Sequence, residues 1–407
     1  MNTNIMVPST ISEYTSLKLD APLLKPFDPL VIEFIDTLSA SLRKSPSTKE
    51  FPELMALSFW MRKAHIFKIK QEFEEIYKNR LLVAKGTLFH IAPSNVDTIF
   101  VYSWFISMLV GNNNIVRVST KENDQLSYLL QHIIYTLDKK EFQSIKAKTI
   151  LIQYPHQNQE ITKHLSAMCD MRVIWGGDET IRQIRLIPIK PTATELTFAD
   201  KFSLAILDAN ECLTQKSISS LIPKFYHDSF VFAQKACSSI RAVVWIGDSL
   251  AIQKAQDIFW KELQAYIQTK QPDDIKPANI IDKLVAECSI AINQTSKVSI
   301  QDTKTPYINR IKLSDFETNP YQEHCGSGLF YEYEMPSLKH LFSQLGKKYQ
   351  TISYYGFDTQ ELSSAINDTQ PIGIDRVVPI GKSLDFSHIW DGYDLLKSFT
   401  REIEIWS

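Results

Sequence analysis

The sequence predicts an α/β protein of two domains with mostly parallel sheets. From about residue 87 to 207, short apolar runs alternate with stretches of helical periodicity, the pattern of a parallel sheet covered on both faces. The chain has 407 residues, and domains commonly run to roughly 100–200 residues, so two are expected. An apolar content of 44% and a charged content of 22% are ordinary for a globular chain.

Residues 1 to 27 are proline-rich and lack periodicity, so they read as an arm. Asp28 is placed to cap a helix from Pro29 to about Leu42, with Val31, Ile32, Ile35 and Leu38 on one face. Ser47 and Glu50 have capping-box spacing, and the stretch to about Asn79 reads as helical. Strands are expected over 87–91, 115–118, 149–153, 172–175 and 203–207. Helices are expected over 95–109, 122–137 and 157–168, and from Asp178 onward. Gly111 stops the first of these helices, and Gly176-Gly177 break a strand. A second α/β stretch starts near Glu211, with a strand at Ala242–Ile246, a helix over 249–267 and a mixed region to about 380. The expected division is therefore an arm with helices (1–80), a first α/β domain (81–210), a second α/β domain that contains Cys237 (211–380) and a C-terminal segment (381–407) that returns to the first α/β domain or to an oligomer interface.

The formal charge is −2 and the basic residues are scattered, which argues against a nucleic-acid binder with a basic face. No run of 18 apolar residues occurs, so no membrane span is expected. Residues 1 to 30 lack a basic start followed by an apolar stretch, and a cytoplasmic location is expected. The cysteines are Cys169, Cys212, Cys237, Cys288 and Cys325, with no C-x-x-C pair. That fits a reducing compartment and disfavours a structural zinc site; no metal is expected. The chain lacks G-x-G-x-x-G, a Walker loop, H-E-x-x-H and G-x-S-x-G; Gly326-Ser327-Gly328 is preceded by Cys325 rather than by the first elbow glycine.

Cys237 is the focus of the chemistry. Phe230, Phe232 and Ala233 suit one face of a helix and Ala242–Ile246 a buried strand, so the thiol stands at a helix–strand junction, where α/β domains commonly hold reacting groups. The plain alternative is a small core residue, since free cysteines are often buried. His227 lies ten residues upstream; across a helical segment about 15 Å would separate the two, so they are not paired.

Several segments in order resemble the aldehyde dehydrogenase superfamily, and within it the acyl-CoA reductase branch of LuxC-type fatty acid reductases. They are Gly86-Thr-Leu-Phe-His-Ile-Ala-Pro-Ser-Asn95, Tyr102-Ser-Trp104, Gly111-Asn-Asn-Asn-Ile-Val-Arg117-Val-Ser119, Trp175-Gly-Gly-Asp178, Lys201-Phe-Ser, Gln234-Lys-Ala-Cys237-Ser-Ser, Gly373-Ile-Asp-Arg-Val-Val-Pro-Ile-Gly381 and Trp390-Asp-Gly-Tyr-Asp-Leu395. The likeness runs from about residue 80 to 405.

The resemblance implies an aldehyde-dehydrogenase-like fold with the active site in the cleft between two domains. It makes Cys237 the nucleophile that carries the acyl group as a thioester, and Asn95 the amide donor to the oxyanion, although Asn95 also suits a helix cap. It makes Arg117, Ser119, Lys121, Gly176, Gly177 and Lys201 cofactor-binding. Gly176-Gly177 would let a pyrophosphate approach a helix N-terminus, unless they form a plain tight turn. Thr120 and Lys121 stand where NAD-preferring members commonly carry a carboxylate, so NADPH is expected. Thr197 stands at the position of the hydrolytic glutamate, which suits reduction over hydrolysis. His324 falls near a second family glutamate and is either a general acid/base or a structural histidine. The expected activity is reduction of an acyl-CoA, or of an acyl group donated by an acyl-protein synthetase, to an aldehyde. A homo-oligomer is expected. The alternatives are a CoA-acylating aldehyde dehydrogenase working in the oxidising direction and a non-catalytic scaffold subunit.

Overall fold

The structure, a computed structural model, describes residues 3–93, 98–121, 123–270, 277–293, 298–301, 305–316 and 321–406. The chain forms two compact units, one of Met1–Asp200 with Phe386–Ser407 and one of Lys201–Asp385.

The first unit is built on a six-stranded sheet in the order Asn4–Val7, Thr149–Gln153, Asn113–Val118, Thr87–Ile91, Met171–Trp175, Thr194–Phe198. Only Asn4–Val7 runs antiparallel to its neighbour. Thr87–Ile91 is buried at every position, as a strand covered on both faces must be. The helix Ile99–Leu109 is likewise buried all round. From the strand Thr87–Ile91 the chain moves outward to Asn113–Val118 and Thr149–Gln153, then returns to the opposite side at Met171–Trp175. The order therefore reverses between Thr87–Ile91 and Met171–Trp175, and the carboxyl ends of strands at such a reversal are where α/β sheets bind ligands.

The N-terminal residues belong to this unit. Leu17 packs with Phe89 and Ile91, and Phe34 lies against Trp104 and Phe105. Asp28 caps Pro29–Lys44, its carboxylate accepting from the Leu30 N–H at 2.9 Å. The stretch to about Asn79, expected to be helical, is a 3₁₀ turn at Pro46–Glu50 followed by helices Pro52–Trp60 and Lys63–Ile76. Pro46 and Pro52 each open a new helical segment, where their fixed φ and missing N–H are tolerated. The Lys63 N–H is drawn instead to Asp36 Oδ1 at 3.0 Å. At the other end of the chain, Thr400–Ile403 pairs antiparallel with Leu81–Ala84.

The second unit holds a seven-stranded sheet in the order Val298–Gln301, Asn309–Leu313, Leu329–Met335, Ile240–Ile246, Phe202–Asp208, Tyr349–Tyr355, Arg376–Pro379. Only the Val298–Gln301 edge is antiparallel. Phe202–Asp208 lies in this sheet, so the boundary expected near 210 falls at 200/201. An apolar run reveals a buried strand but not which sheet receives it. Alternate residues divide between two cores. Leu204, Ile206, Val244 and Ile246 face one, with Leu341 and Leu362. Ala205, Leu207, Val243 and Trp245 face the other, with Phe225, Phe259 and Trp260.

A buried charge pins that second core. Glu332, 1% exposed, pairs with Arg310 at 2.7 Å and accepts from the indole N–H groups of Trp245 (3.0 Å) and Trp260 (2.7 Å). Its partners satisfy it from three elements. Removing the carboxylate leaves a desolvated guanidinium and two orphaned indoles, so Glu332→Ala should cost about 3–5 kcal/mol. Urea midpoints at constant m-value read this directly; a loss below about 1 kcal/mol would mean the network relaxes without strain.

Candidate active site

The loop that carries Cys237 is not the helix end that its apolar residues suggest. Gln215–Phe230 ends at Phe230, and Phe232, Ala233 and Gln234 follow with φ of 62°, 48° and 61°. Three successive non-glycine residues in the left-handed region are costly. Tertiary contacts hold them. Gln234, 1% exposed, donates through Nε2 to the Ile240 and Leu329 carbonyls (2.8 and 3.0 Å), and its Oε1 accepts from the Gly328 N–H at 2.9 Å. The Ser327 N–H donates to the Ala233 carbonyl at 3.0 Å. Gly326 has φ +79°, and a Cβ there would lie 2.7 Å from the Ala233 carbonyl oxygen. Gly326-Ser327-Gly328 is thus the seat of the Cys237 loop.

Cys237 itself is partly exposed. Its carbonyl accepts from Ser203 Oγ at 2.7 Å, and Ser203 Oγ accepts from the Thr351 N–H at 3.1 Å. Gln350 Nε2 lies 3.5 Å from Cys237 Sγ. Arg241 donates to the carbonyls of Lys201 (3.3 Å), Lys235 and Ala236 (both 3.4 Å), so a guanidinium braces the backbone beside the thiol. Burial pushes Cys169 up to about 11 and Cys212 up to about 12, and raises Cys325. Those thiols are poor thiolate formers. Gln350 and Arg241 were not singled out from sequence, because a glutamine and an arginine carry no motif of their own, and Ser203 stood there only as the last residue of Lys201-Phe-Ser.

Two expected site residues are otherwise engaged. His324 accepts from the Gly326 N–H at Nδ1 (3.3 Å) and donates from Nε2 to the Leu329 carbonyl (2.9 Å). Its ring packs edge-on to Tyr331 and Phe202. Burial, then the positive Arg241, lower it to about 3. It is a neutral brace of the same seat, without a nitrogen left for acid/base work. Lys201 Nζ pairs with Asp375 at 3.1 Å and donates to the Lys347 carbonyl, which holds it in the second unit's own structure. His227 Nδ1 lies 3.2 Å from Asp228 Oδ1, and the turn after Phe230 removes the helical basis for a distance to Cys237.

In the first unit, Asn95 lies outside the described residues. Arg117 stacks over the Tyr154 ring at 5.0 Å and donates to the Tyr154 carbonyl at 3.2 Å, while its buried Nε has no partner among the described residues. Ser119 Oγ accepts from the Lys121 N–H at 3.1 Å, leaving the exposed Lys121 side chain at the strand end. Trp175 donates to Ser103 Oγ (3.1 Å), which meets His90 Nδ1 (2.8 Å), and His90 Nε2 meets Asn114 Oδ1 (3.0 Å). Trp175 also stacks on Phe198 at 3.8 Å. Gly176-Gly177 follow directly, with Gly177 the uncapped N-cap of Asp178–Arg185. A Cβ at Gly177 would meet nothing within 4 Å, so its backbone is open to a ligand. Asp178 and Glu179 stand in the first turn, and Glu179 is drawn to Arg182 and Gln183. Thr197 Oγ1 accepts from Arg185 Nη2 at 3.3 Å.

These features define an aldehyde-dehydrogenase-like α/β fold. Lactaldehyde dehydrogenase from Escherichia coli superposes with a TM-score of 0.63 at 12% identity, over 92% of this chain and 86% of that one, a likeness of fold alone. The model of the acyl-CoA reductase (LuxC) family matches residues 65–402, and the chain belongs to that family. Among its curated relatives, the long-chain acyl-protein thioester reductase of Aliivibrio fischeri is 27% identical over 170 residues, 41% of this chain and 33% of that protein. Long-chain acyl-protein thioester reductase 2 of Photobacterium leiognathi is 26% identical over 195 residues, 47% and 37% respectively. The matched stretches thus span about a third of those relatives.

His90 and His324 are both held neutral by burial, at about 4 and about 3 against an ordinary 6.5. Below pH 6.5 the unfolded chain binds protons that the folded chain refuses. The stability they confer is complete above that value and is lost as pH falls toward 4 and 3, by up to about 1.4 kcal/mol per pH unit for each ring. Denaturant midpoints measured across this window should fall with acidification, more shallowly in His324→Gln; an unchanged slope in that variant would show that the His324 ring protonates freely.

Proposed function

We propose that the protein reduces an activated, long-chain acyl group to the aldehyde with NADPH, through an acyl thioester on Cys237. The observation that carries the proposal is the Cys237 side chain, partly exposed on a left-handed loop with an amide donor 3.5 Å from its sulfur. Membership of an acyl-CoA reductase family supports the chemistry. The relatives named for acyl-protein thioesters support a protein-held acyl donor beside acyl-CoA.

The chain's own residues divide the work. The Cys237 thiolate adds to the acyl carbonyl carbon, and the donor's thiol leaves with a proton from solvent. Once the thioester carbonyl carbon has received a hydride, collapse of the adduct breaks the carbon–sulfur bond, returns the electron pair to Cys237 and releases aldehyde. Asn95 keeps the oxyanion role implied by the resemblance, since amide donors aimed at developing charge commonly contribute roughly 10²–10³ in rate. NADPH, when bound, supplies the hydride. The open backbone at Gly177, the uncapped helix start behind it and the exposed Lys121 ammonium suit its phosphates. Arg117, with an unpartnered buried Nε, and Ser119 line the same strand end. Thr197 offers no base to water, so the acyl group waits for reduction.

Incubation with acyl-CoAs of graded length and NADPH, with the aldehyde identified by mass spectrometry, tests the reading. Cys237→Ala should abolish covalent acylation and aldehyde formation together while the fold survives. A stable acyl enzyme in that variant would transfer the nucleophile to another cysteine.

Cofactor choice is read at Lys121. Its side chain is exposed and only its backbone N–H serves the turn, so Lys121→Glu should leave stability unchanged. It should raise the KM for NADPH about tenfold or more, the value of one charge-assisted contact to phosphate, with little effect on NADH. Equal effects on both cofactors would remove Lys121 from the 2′-phosphate site.

A further inference from the structure

Gln350 occupies a position that the fold goes out of its way to build. The parallel pairing of Tyr349–Tyr355 with Phe202–Asp208 slips between Tyr349 and Ile352, placing Gln350 and Thr351 on an irregularity. The pairing of Phe202–Asp208 with Ile240–Ile246 slips too, between Ser203 and Leu204. Ser203 fills both gaps, accepting the Thr351 N–H and donating to the Cys237 carbonyl. Irregular ladders of this kind re-aim side chains and concentrate beside active sites. Here the result is that Gln350, 2% exposed, presents Nε2 at 3.5 Å from Cys237 Sγ. The orientation of the amide is set from its far end, where Thr351 Oγ1 donates to Gln350 Oε1 at 3.3 Å. The Asp375 N–H holds the Gln350 carbonyl at 2.8 Å, so backbone and side chain are both restrained.

Resting on the reading of Cys237 as the acyl carrier, we propose that Gln350 is a catalytic residue, the N–H donor to the Cys237 sulfur whenever that sulfur carries negative charge. The sulfur is anionic twice in the cycle. It is a thiolate before it adds to the acyl carbonyl, and it takes the electron pair again when the carbon–sulfur bond breaks and the aldehyde carbonyl forms. In between, as a neutral thioester sulfur, it is a weak acceptor and gains little from the amide. A donor of this kind enlarges the thiolate fraction from which the thioester forms, and it stabilises the thiolate that leaves when the carbon–sulfur bond breaks. A carboxamide also neither gives nor takes a proton near neutral pH. It can steady the thiolate without supplying the base that would direct water onto the acyl enzyme. A histidine in this place would supply such a base, and a glutamate would supply it while repelling the thiolate.

The rate of Cys237 alkylation by iodoacetamide, followed by mass spectrometry of the native protein across pH, reads the thiol directly and needs neither acyl donor nor cofactor. Gln350→Leu should raise the midpoint of that profile by about one to two pH units. Gln350→Glu, nearly isosteric, should raise it further, because a carboxylate repels the thiolate. Aldehyde formation by Gln350→Leu should fall about ten-fold or more near neutral pH and recover in part as pH is raised. A merely structural role would lower activity at every pH and leave the midpoint in place. Unmoved midpoints in both folded variants would overturn the assignment of Gln350 while leaving Cys237 acylation standing. Failure of the unaltered protein to acylate Cys237 would instead overturn the proposed function.

Discussion

The buried carboxamide of Gln234 is the interaction on which the shape of the Cys237 loop depends. It closes three backbone hydrogen bonds, to Ile240, Leu329 and Gly328, and so ties the Cys237 loop to two neighbouring strands at once. Without such a tie, the left-handed run from Phe232 to Gln234 would relax, since each such residue is held against its own steric preference. The loop in turn sets where Cys237 stands, and the glycines of Gly326-Ser327-Gly328 are there to let it dock. His324 belongs to the same support, one nitrogen on Gly326 and the other on Leu329. The sharp turn and its underlying seat form one object, contributed by segments about ninety residues apart in sequence.

The first unit follows a different logic. Its sheet reverses order between Thr87–Ile91 and Met171–Trp175, and the carboxyl ends of strands at such a reversal suit a ligand without strained backbone. That explains how the chain can dispense with a G-x-G-x-x-G turn. The glycines it does use, Gly176-Gly177, lie behind a tryptophan locked by Ser103 and Phe198. The chain Trp175–Ser103–His90–Asn114 leaves no polar atom of the His90 ring unpaired, and a fully satisfied buried network specifies one arrangement where an apolar core would accept several.

Both units therefore combine ordinary apolar cores with a few buried polar groups. Glu332 is held among Arg310, Trp245 and Trp260, and Arg172 is paired with Glu195. Such groups add little net stability over well-packed apolar residues, but they are expensive to leave unpaired. No helix among the described residues is long and apolar enough to cross a membrane.

Much was legible in the sequence itself. Apolar runs marked the strands at 87–91, 149–153 and 242–246, because burial on both faces leaves a local signature. Asp28 announced its helix, and Gly111 and Gly176 their chain reversals, because capping and turn conformations depend on the residue at that place. Cys237 stood out by its chemistry together with the ordered segments around it. Only the tertiary structure decided the rest. Phe202–Asp208 could have joined either sheet, since its apolar pattern carries no label for its neighbours. Phe232 and Ala233 looked helical because periodicity describes which side chains are apolar, not which backbone conformation long-range hydrogen bonds will impose. His324 and Lys201 were plausible site residues from their side chains. Contacts with Leu329 and Asp375 gave them structural work, and a bulge in one strand aimed Gln350 at the thiol. Those outcomes are set by pairing between distant segments, and a linear pattern holds no record of pairing.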